Sequence, residues 1–374
     1  MTDIEKTYNR VIIVGNGFDL ACGLKSSYQD FILDILKNGY LDAIKNGEIK
    51  TLFFELKYIE TSEDYINKDI KFINNASRFN EIINYFKQRK TIEYKSLNLI
   101  FRNIIESNTK NWVDIESIYF KEIKKRWGEI KLKPENETEI IEEVENLNNN
   151  LTDISNALKD YLNLIKSNIS ISSREDKLEN LRDLIYEKLR DEIIKNLPDK
   201  FKPVKDPEKV LILNFNYSDF AYQFLLRRNA NYIALHGSLK DYTNNIVFGY
   251  GDDTNEIYKE MEASGHSEFL EKIKSFQYGR DNQYHKLLNF IEGENFEVFI
   301  LGHSCGLSDK TLLKTIFEHQ NCYAIKAFHY LGETEHFYKR MAIARHFDDK
   351  IAMRQKMLPY DEFYKIPQLI KHIR

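Results

Sequence analysis

Short β-branched runs that stop at polar or glycine-bearing tips frame this chain, and a long helical stretch separates the first of them from the rest. Arg10-Val-Ile-Ile-Val14 reads as a buried strand that ends abruptly in Gly15-Asn-Gly17, and the residues from Phe18 to Phe31 become helical within a turn or two. From about Tyr28 to Leu197 glycine nearly vanishes after Gly47, with Gly128 the exception, and Lys, Glu, Asn, Ile and Leu take over. Apolar residues at Ile140, Val144, Leu147, Leu151, Ile154, Leu158, Tyr161 and Ile165 alternate spacings of four and three, a heptad seam behind a helix start at Pro134. A turn at Ile169-Ser-Ile-Ser-Ser173 and a second stripe at Leu178, Leu181, Ile185 and Leu189 predict a helical hairpin over about 135–197. The seam either packs within its own chain or joins two chains in a coiled coil.

Pro198, Pro203 and Pro207 mark a boundary, after which strand patterns return. Val210–Leu213 leads into Asn-Phe-Asn-Tyr-Ser-Asp219, Tyr232–Leu235 into His236-Gly-Ser238, and Ile246–Phe248 into Gly-Tyr-Gly251. Phe296–Leu301 ends in Gly-His-Ser-Cys-Gly306, and Tyr323–Phe328 and Lys350–Met353 complete the predicted strands. In a parallel sheet such tips lie together at the carboxyl edge, where ligands bind. The expected fold is therefore α/β, a Rossmann-like parallel sheet formed by residues 1–40 and 205–374. A large all-helical insertion, 41–204, interrupts it.

Composition narrows the classes. The 374 residues carry 54 Lys+Arg against 58 Asp+Glu, a formal charge of −4, with 42% hydrophobic residues: a globular mix with no basic block to hold nucleic acid. Apolar runs such as Val298–Leu301 fall far short of the roughly 20 residues that span a bilayer, so no membrane segment is expected. The polar start, MTDIEKTYNR, carries no apolar signal region, which points to the cytoplasm. Cys22, Cys305 and Cys322 are too few for a disulfide framework or a four-cysteine zinc site, and no metal is expected.

Four places carry candidate chemistry. Gly15-Asn16-Gly17 is either a phosphate cradle of backbone amides or a tight structural turn; Leu20 stands where the ordinary dinucleotide fingerprint has its third glycine. Asn214 and Asn216 at a strand end build an Asx-turn, or present an amide that orients a water or sugar hydroxyl. His236 is a structural histidine or a general base. Gly302-His303-Ser304-Cys-Gly306 is a phosphate- or ribose-binding loop, or the G-x-S-x-G elbow of a serine hydrolase. In the last case Ser304 needs partners, and His336, His346 and Asp348 come in the order His before Asp, against the usual hydrolase pattern.

The order of these sites resembles that of sirtuins and sirtuin-like NAD-consuming proteins. Gly15-Asn16-Gly17 resembles their GAG turn, Gly23-Leu24 the step after it, Asn216-Tyr217 their site asparagine, and His236-Gly237 their catalytic HG. Val247-Phe248-Gly249 is similar to their V-x-F-G segment, and Gly302-His303-Ser304 to their adenosine-side loop. Narrower still, Val14-Gly-Asn-Gly-Phe-Asp-Leu20, Trp112-Val-Asp-Ile-Glu116, Phe215-Asn-Tyr217 and Gly302-His-Ser304 look like the AbiH family of phage abortive-infection proteins. No CxxC pair is present, so the zinc module of deacetylating sirtuins is missing and peptide deacetylation is not expected. Ser218 stands where the family pattern carries Asp, with Asp219 one residue later.

The resemblance implies cleavage of NAD+ to nicotinamide and ADP-ribose in antiphage defence. Asn216 would orient a ribose hydroxyl or water, and His236 would take the proton. Gly15, Asn16 and Gly17, with Phe18 and Asp19 beside them, would hold the pyrophosphate. Tyr217, Ser218, Gly237, Phe248 and Gly249 would line the nucleotide, and Gly302, His303 and Ser304 would hold its adenosine side. Asp114 and Glu116 are solvated charges of the insertion or join the site. A constitutive NAD+ hydrolase would kill its host, so control is expected from a phage-derived trigger or partner, from self-association through the insertion, or from the segment 252–295 acting as a lid. The competing reading is a nucleotide sensor without turnover.

Overall fold

A computed structural model describes residues 7–107, 112–166, 175–195, 197, 205–227, 230–239, 246–253 and 255–368. Its eight strands among these residues are β1 (Asn9–Val14), β2 (Glu48–Lys50), β3 (Phe54–Tyr58), β4 (Ile92–Ser96), β5 (Lys209–Asn214), β6 (Ala230–Ala234), β7 (Phe296–Leu301) and β8 (Cys322–Ala327). The chain forms two compact units, one of Met1–Leu24, Leu162–Lys259 and Ile273–Arg374, the other of Lys25–Tyr161 and Glu260–Lys272.

The first unit is built on a five-stranded parallel sheet in the order β6-β5-β1-β7-β8. Every residue of β1, β7 and β8 is buried, the near-continuous apolar run required of parallel strands covered on both faces. The two faces alternate residue by residue. Ile12, Val14, Ile212, Phe299 and Leu301 join one core cluster, while Val11, Ile13, Leu213, Val298 and Ile300 join the other. The chain steps outward from β1 through β5 to β6, then returns to the far side of β1 for β7 and β8. Such a reversal leaves a crevice beyond the carboxyl ends of β1 and β7. The register is level there, with Val14 opposite both Asn214 and Leu301.

Leu178, Leu181, Ile185 and Leu189 do not close a hairpin within the insertion. They join the core cluster of Ile12, Val14 and Ile212, so the helix Glu175–Tyr186 covers the sheet and belongs to the α/β unit. Periodicity shows that a helix has an apolar stripe, not which surface the stripe meets. Arg10 fastens this contact: fully buried, it pairs with Glu297 across β1 and β7, donates from Nη1 to the Ile185 carbonyl at 2.7 Å, and lies 4.0 Å over the Phe299 ring.

The second unit contains helices Tyr28–Asn46, Glu63–Asn75, Phe79–Arg89, Leu99–Ser107 and Trp112–Leu132, with most of Glu137–Lys166. It is not all-helical. β2, β3 and β4 form an antiparallel sheet, and Phe54, Leu56 and Tyr58 point alternately inward along β3. The insertion therefore runs from Lys25 to Tyr161 with 260–272 added, rather than over 41–204. Its heptad seam is buried in the chain, from Ile140 at 6% exposed to Leu158 at 0%. The expected turn at 169–173, and Pro198 and Pro203, lie outside the described residues.

Two expected strands differ. Lys350–Met353 opens the helix Lys350–Lys356, because the Asp349 side chain accepts from the Ile351 and Ala352 amides as an N-cap. Ile246–Phe248 does not pair into the sheet among the described residues; its Val247 amide donates to the His236 carbonyl at 3.0 Å.

Candidate functional site

The polar tips converge at the carboxyl edge of the parallel sheet as the pattern required, but the glycine turn serves a different contact. Gly15 N–H donates to the Leu301 carbonyl at 3.0 Å and Gly17 N–H to the Gly302 carbonyl at 2.9 Å. A Cβ on Gly15 would meet His303 Cα at 2.4 Å and its Cδ2 at 2.9 Å, and one on Gly302 would meet the Phe18 amide nitrogen at 2.4 Å. The loops after β1 and β7 are thus pressed backbone to backbone, with His303 over Gly15. At the expected phosphate cradle the Gly15 and Gly17 amides are taken up by carbonyls of β7 and the loop after it. Phe18 is a core residue, 1% exposed, packed with Ile12, Val14 and Phe220. Asn16 and Gly17 stay half-buried.

After β5 the chain organises itself around Asn214. Its Nδ2 donates to the carbonyls of Asn216 and Ser218 at 3.0 Å each, and its Oδ1 accepts from the Asn216 amide at 3.1 Å, an Asx-turn. This turn aims Asn216 Nδ2 at Asp19 Oδ1, 2.9 Å away, and Ser218 Oγ at Asp19 Oδ2, 2.6 Å away. Asp19 is therefore the centre of the first polar group. Burial pushes its carboxyl up to about 7, against the hydrogen bonds from Ser218 and Asn216 and with help from Asp219. Asp219 itself is turned away, paired with Lys166 at 2.7 Å and accepting from Gln223 Nε2 at 2.7 Å.

The second group forms around His236, 5% exposed at the tip of β6. Its Nε2 lies 3.4 Å from Asp309 Oδ1 and 3.4 Å from the Tyr278 hydroxyl. His303 Nε2 lies 3.5 Å from Asp309 Oδ2, and Lys274 Nζ donates to Asp309 Oδ1 at 2.8 Å. The Phe215 ring stands against both imidazoles, at 5.0 Å from His236 and 4.4 Å from His303. Burial and then the Lys274 ammonium push His236 below its ordinary value, so the ring is neutral at physiological pH. Burial alone would raise Asp309; Lys274, with His236 and His303, outweighs it and holds this carboxyl well below the usual range. A neutral imidazole beside an ionised carboxylate is the equipment of general-base chemistry.

Asn216 and His236 thus reach the same edge, each tied to its own carboxylate. Tyr217 is half-buried, its hydroxyl donating to the Val247 carbonyl at 3.2 Å and its ring 6.5 Å from that of His236. Phe248 and Gly249 are buried beside it, and Gly237 supplies the left-handed φ of +89° that turns the chain after His236. Asp309, Lys274 and Tyr278 went unnoticed in the sequence. Asp309 follows the glycine loop by three residues, and the other two come from the charged and aromatic 252–295 segment.

Among the described residues no serine-hydrolase relay is assembled at Ser304. Ser304 is exposed, and the residue with strained backbone is Cys305, at φ +54°, whose thiol burial pushes up to about 12. His303 Nδ1 accepts from the Cys305 amide, His346 Nε2 lies 2.9 Å from the Cys305 carbonyl, Asp348 pairs with Lys314, and His336 rests against Tyr360. In the second unit Glu116 is buried at 5% exposure rather than solvated, and the side chain of Asp114 lies outside what the structure describes. Among the described residues no three His, Cys, Asp or Glu side chains group as metal ligands, all three cysteines are free, and no helix is long and apolar enough to cross a membrane.

A family model described as bacteriophage abortive infection AbiH matches residues 11–330. No curated protein matches the chain.

Proposed function

The chain belongs to the bacteriophage abortive infection AbiH family, a role in phage defence, and within it we propose that the protein hydrolyses NAD+ to nicotinamide and ADP-ribose. One observation carries the reading: a buried imidazole 3.4 Å from a carboxylate at the carboxyl edge of a parallel α/β sheet, with an asparagine on the neighbouring loop. Nicotinamide in NAD+ is a cationic leaving group and departs without an acid. The ribose C1′–N bond breaks with its electron pair passing to the pyridinium nitrogen. Water attacks C1′ and gives its proton to His236, while Asn216 orients the water or a ribose hydroxyl.

The Gly15 and Gly17 amides are occupied by the protein's own carbonyls, so in this reading other groups would hold the diphosphate, with half-buried Asn16 and exposed Ser304 of the same two loops as the candidates. A second reading, nucleotide or partner binding without turnover, draws on the same fact, since both glycine amides and the Asn216 amide already bond within the protein.

Incubation of purified protein with NAD+, with nicotinamide release followed by chromatography, separates the two. Loss of a proton-transfer group costs about 10²–10⁴-fold. His236→Ala should therefore abolish measurable nicotinamide release and Asn216→Ala, which removes the orienting amide, should reduce it; both side chains are buried, so a native circular dichroism spectrum under the assay conditions shows that the loss is not one of folding. Binding of NAD+ without product, and unchanged by either substitution, would establish the second reading instead.

A further inference from the structure

We infer that Asp309 is a positioning residue for His236: it holds the imidazole by its Nε2–H, leaving Nδ1 as the atom that takes the proton, while Lys274 anchors that carboxylate at the same oxygen. The inference rests on the hydrolase reading for its chemistry, but its geometry stands on the side chains alone. Asp309 presents Oδ1 to both His236 Nε2 and Lys274 Nζ, and Oδ2 to His303 Nε2. All four side chains are nearly closed to solvent, at 2–7% exposure, so none of these contacts is loosened by water.

The tautomers follow. His303 Nδ1 accepts the Cys305 N–H at 3.0 Å, so its neutral ring carries the proton on Nε2, facing Asp309 Oδ2. His236 Nε2 lies 3.4 Å from the same carboxylate and 3.4 Å from the Tyr278 hydroxyl; an ionised carboxylate only accepts, whereas a hydroxyl can accept as well as donate, so a proton on Nε2 suits both. The proton of neutral His236 therefore sits on Nε2, and the lone pair on Nδ1, to which none of the described residues hydrogen-bonds. Around this ring stand Phe215, Tyr217, Tyr278, His303, Asp309 and Lys274. Two of them act in opposite senses on its charge: Asp309 favours the imidazolium, Lys274 opposes it. One ion thus aligns the base, and the other adds to burial in disfavouring its protonation.

Histidine-labelled full-length protein, with His236 assigned through His236→Gln, tests this by ¹⁵N–¹H correlation and pH titration beside NAD+ turnover. Wild type should show the Nε2–H tautomer. Lys274→Met should raise the His236 titration towards its ordinary value and move the acid limb of kcat/KM upward with it. Asp309→Asn should lower the titration and reduce kcat by about 10²-fold or more, with KM little changed. A proton on Nδ1 in the wild type, or a His236 titration unmoved by Lys274→Met, overturns the inference. Should Asp309→Asn not fold, the lysine variant and the wild-type tautomer decide alone. Absence of turnover in a wild type that shows the Nε2–H tautomer and the Lys274→Met shift would count against hydrolysis and leave the positioning geometry upheld.

Discussion

Replacing Gly302 by alanine is the sharpest test of how the two edge loops meet. Gly302 has φ +73°, a region that costs a non-glycine residue about 1–2 kcal/mol. Its Cβ would fall 2.4 Å from the Phe18 amide nitrogen and 2.7 Å from the Gly17 carbonyl carbon. Both are backbone atoms, so no rotamer change relieves the overlap, and overpacking of this kind costs about 1–3 kcal/mol. If the loop instead swings away, the Gly17 N–H to Gly302 carbonyl bond is lost, at about 1 kcal/mol, and the strain falls correspondingly. The expected loss is about 2–4 kcal/mol. With a urea m-value near 3 kcal/mol per M, the midpoint drops by about 1 M. Gly128→Ala is the control: Gly128 lies inside the helix Trp112–Leu132 with nothing within 4 Å of its added Cβ, and alanine there should stabilise by about 1 kcal/mol. A Gly302→Ala midpoint within about 0.2 M of wild type would refute the backbone-to-backbone packing, and with it the argument that this packing displaces the phosphate cradle.

Asp19 should make stability depend on pH. Its folded-state value of about 7 lies above the ordinary 3.8, so its contribution is complete below about pH 4 and is lost as pH rises through about 7. The urea midpoint of Asp19→Asn should therefore fall less than that of wild type between about pH 5 and pH 8; parallel slopes would show that Asp19 is not raised. Leu151→Ala, at a seam position 1% exposed, should cost about 2–5 kcal/mol in urea unfolding and leave the elution volume on gel filtration unchanged. A dissociating oligomer with a nearly unchanged midpoint would instead assign the seam to an interface between chains.

The near-continuous apolar runs Val11–Val14, Val210–Leu213 and Phe296–Leu301, each stopping at a polar or glycine-bearing tip, made the parallel sheet legible, because strand burial on both faces leaves a local signature. The same grammar placed Asn216, His236 and Gly302-His-Ser304 at one edge, since residues just past strand ends share that edge whatever the connections between them. The helix over Ile140–Ile165 was equally visible from its seam. Phe54–Tyr58 was overlooked: five alternating residues inside a helical stretch carry a weak signal, one partner strand is only the three residues Glu48–Lys50, and the other begins 34 residues later at Ile92. Lys350–Met353 was misread because a four-residue run does not separate strand from helix, and the decision lay with the Asp349 cap.

What the tertiary structure alone decided is which side chain meets which. Nothing local marks Asp309 as the partner of His236, 73 residues earlier, or brings Lys274 to the same carboxylate. Nothing local says that Gly15 and Gly17 face another loop rather than a ligand. A glycine records only that something comes close, and a buried charge only that it needs a partner. Periodicity is a property of the chain's own backbone, whereas the identity of the neighbour depends on how distant segments are brought together, and that is settled only when the sheet closes.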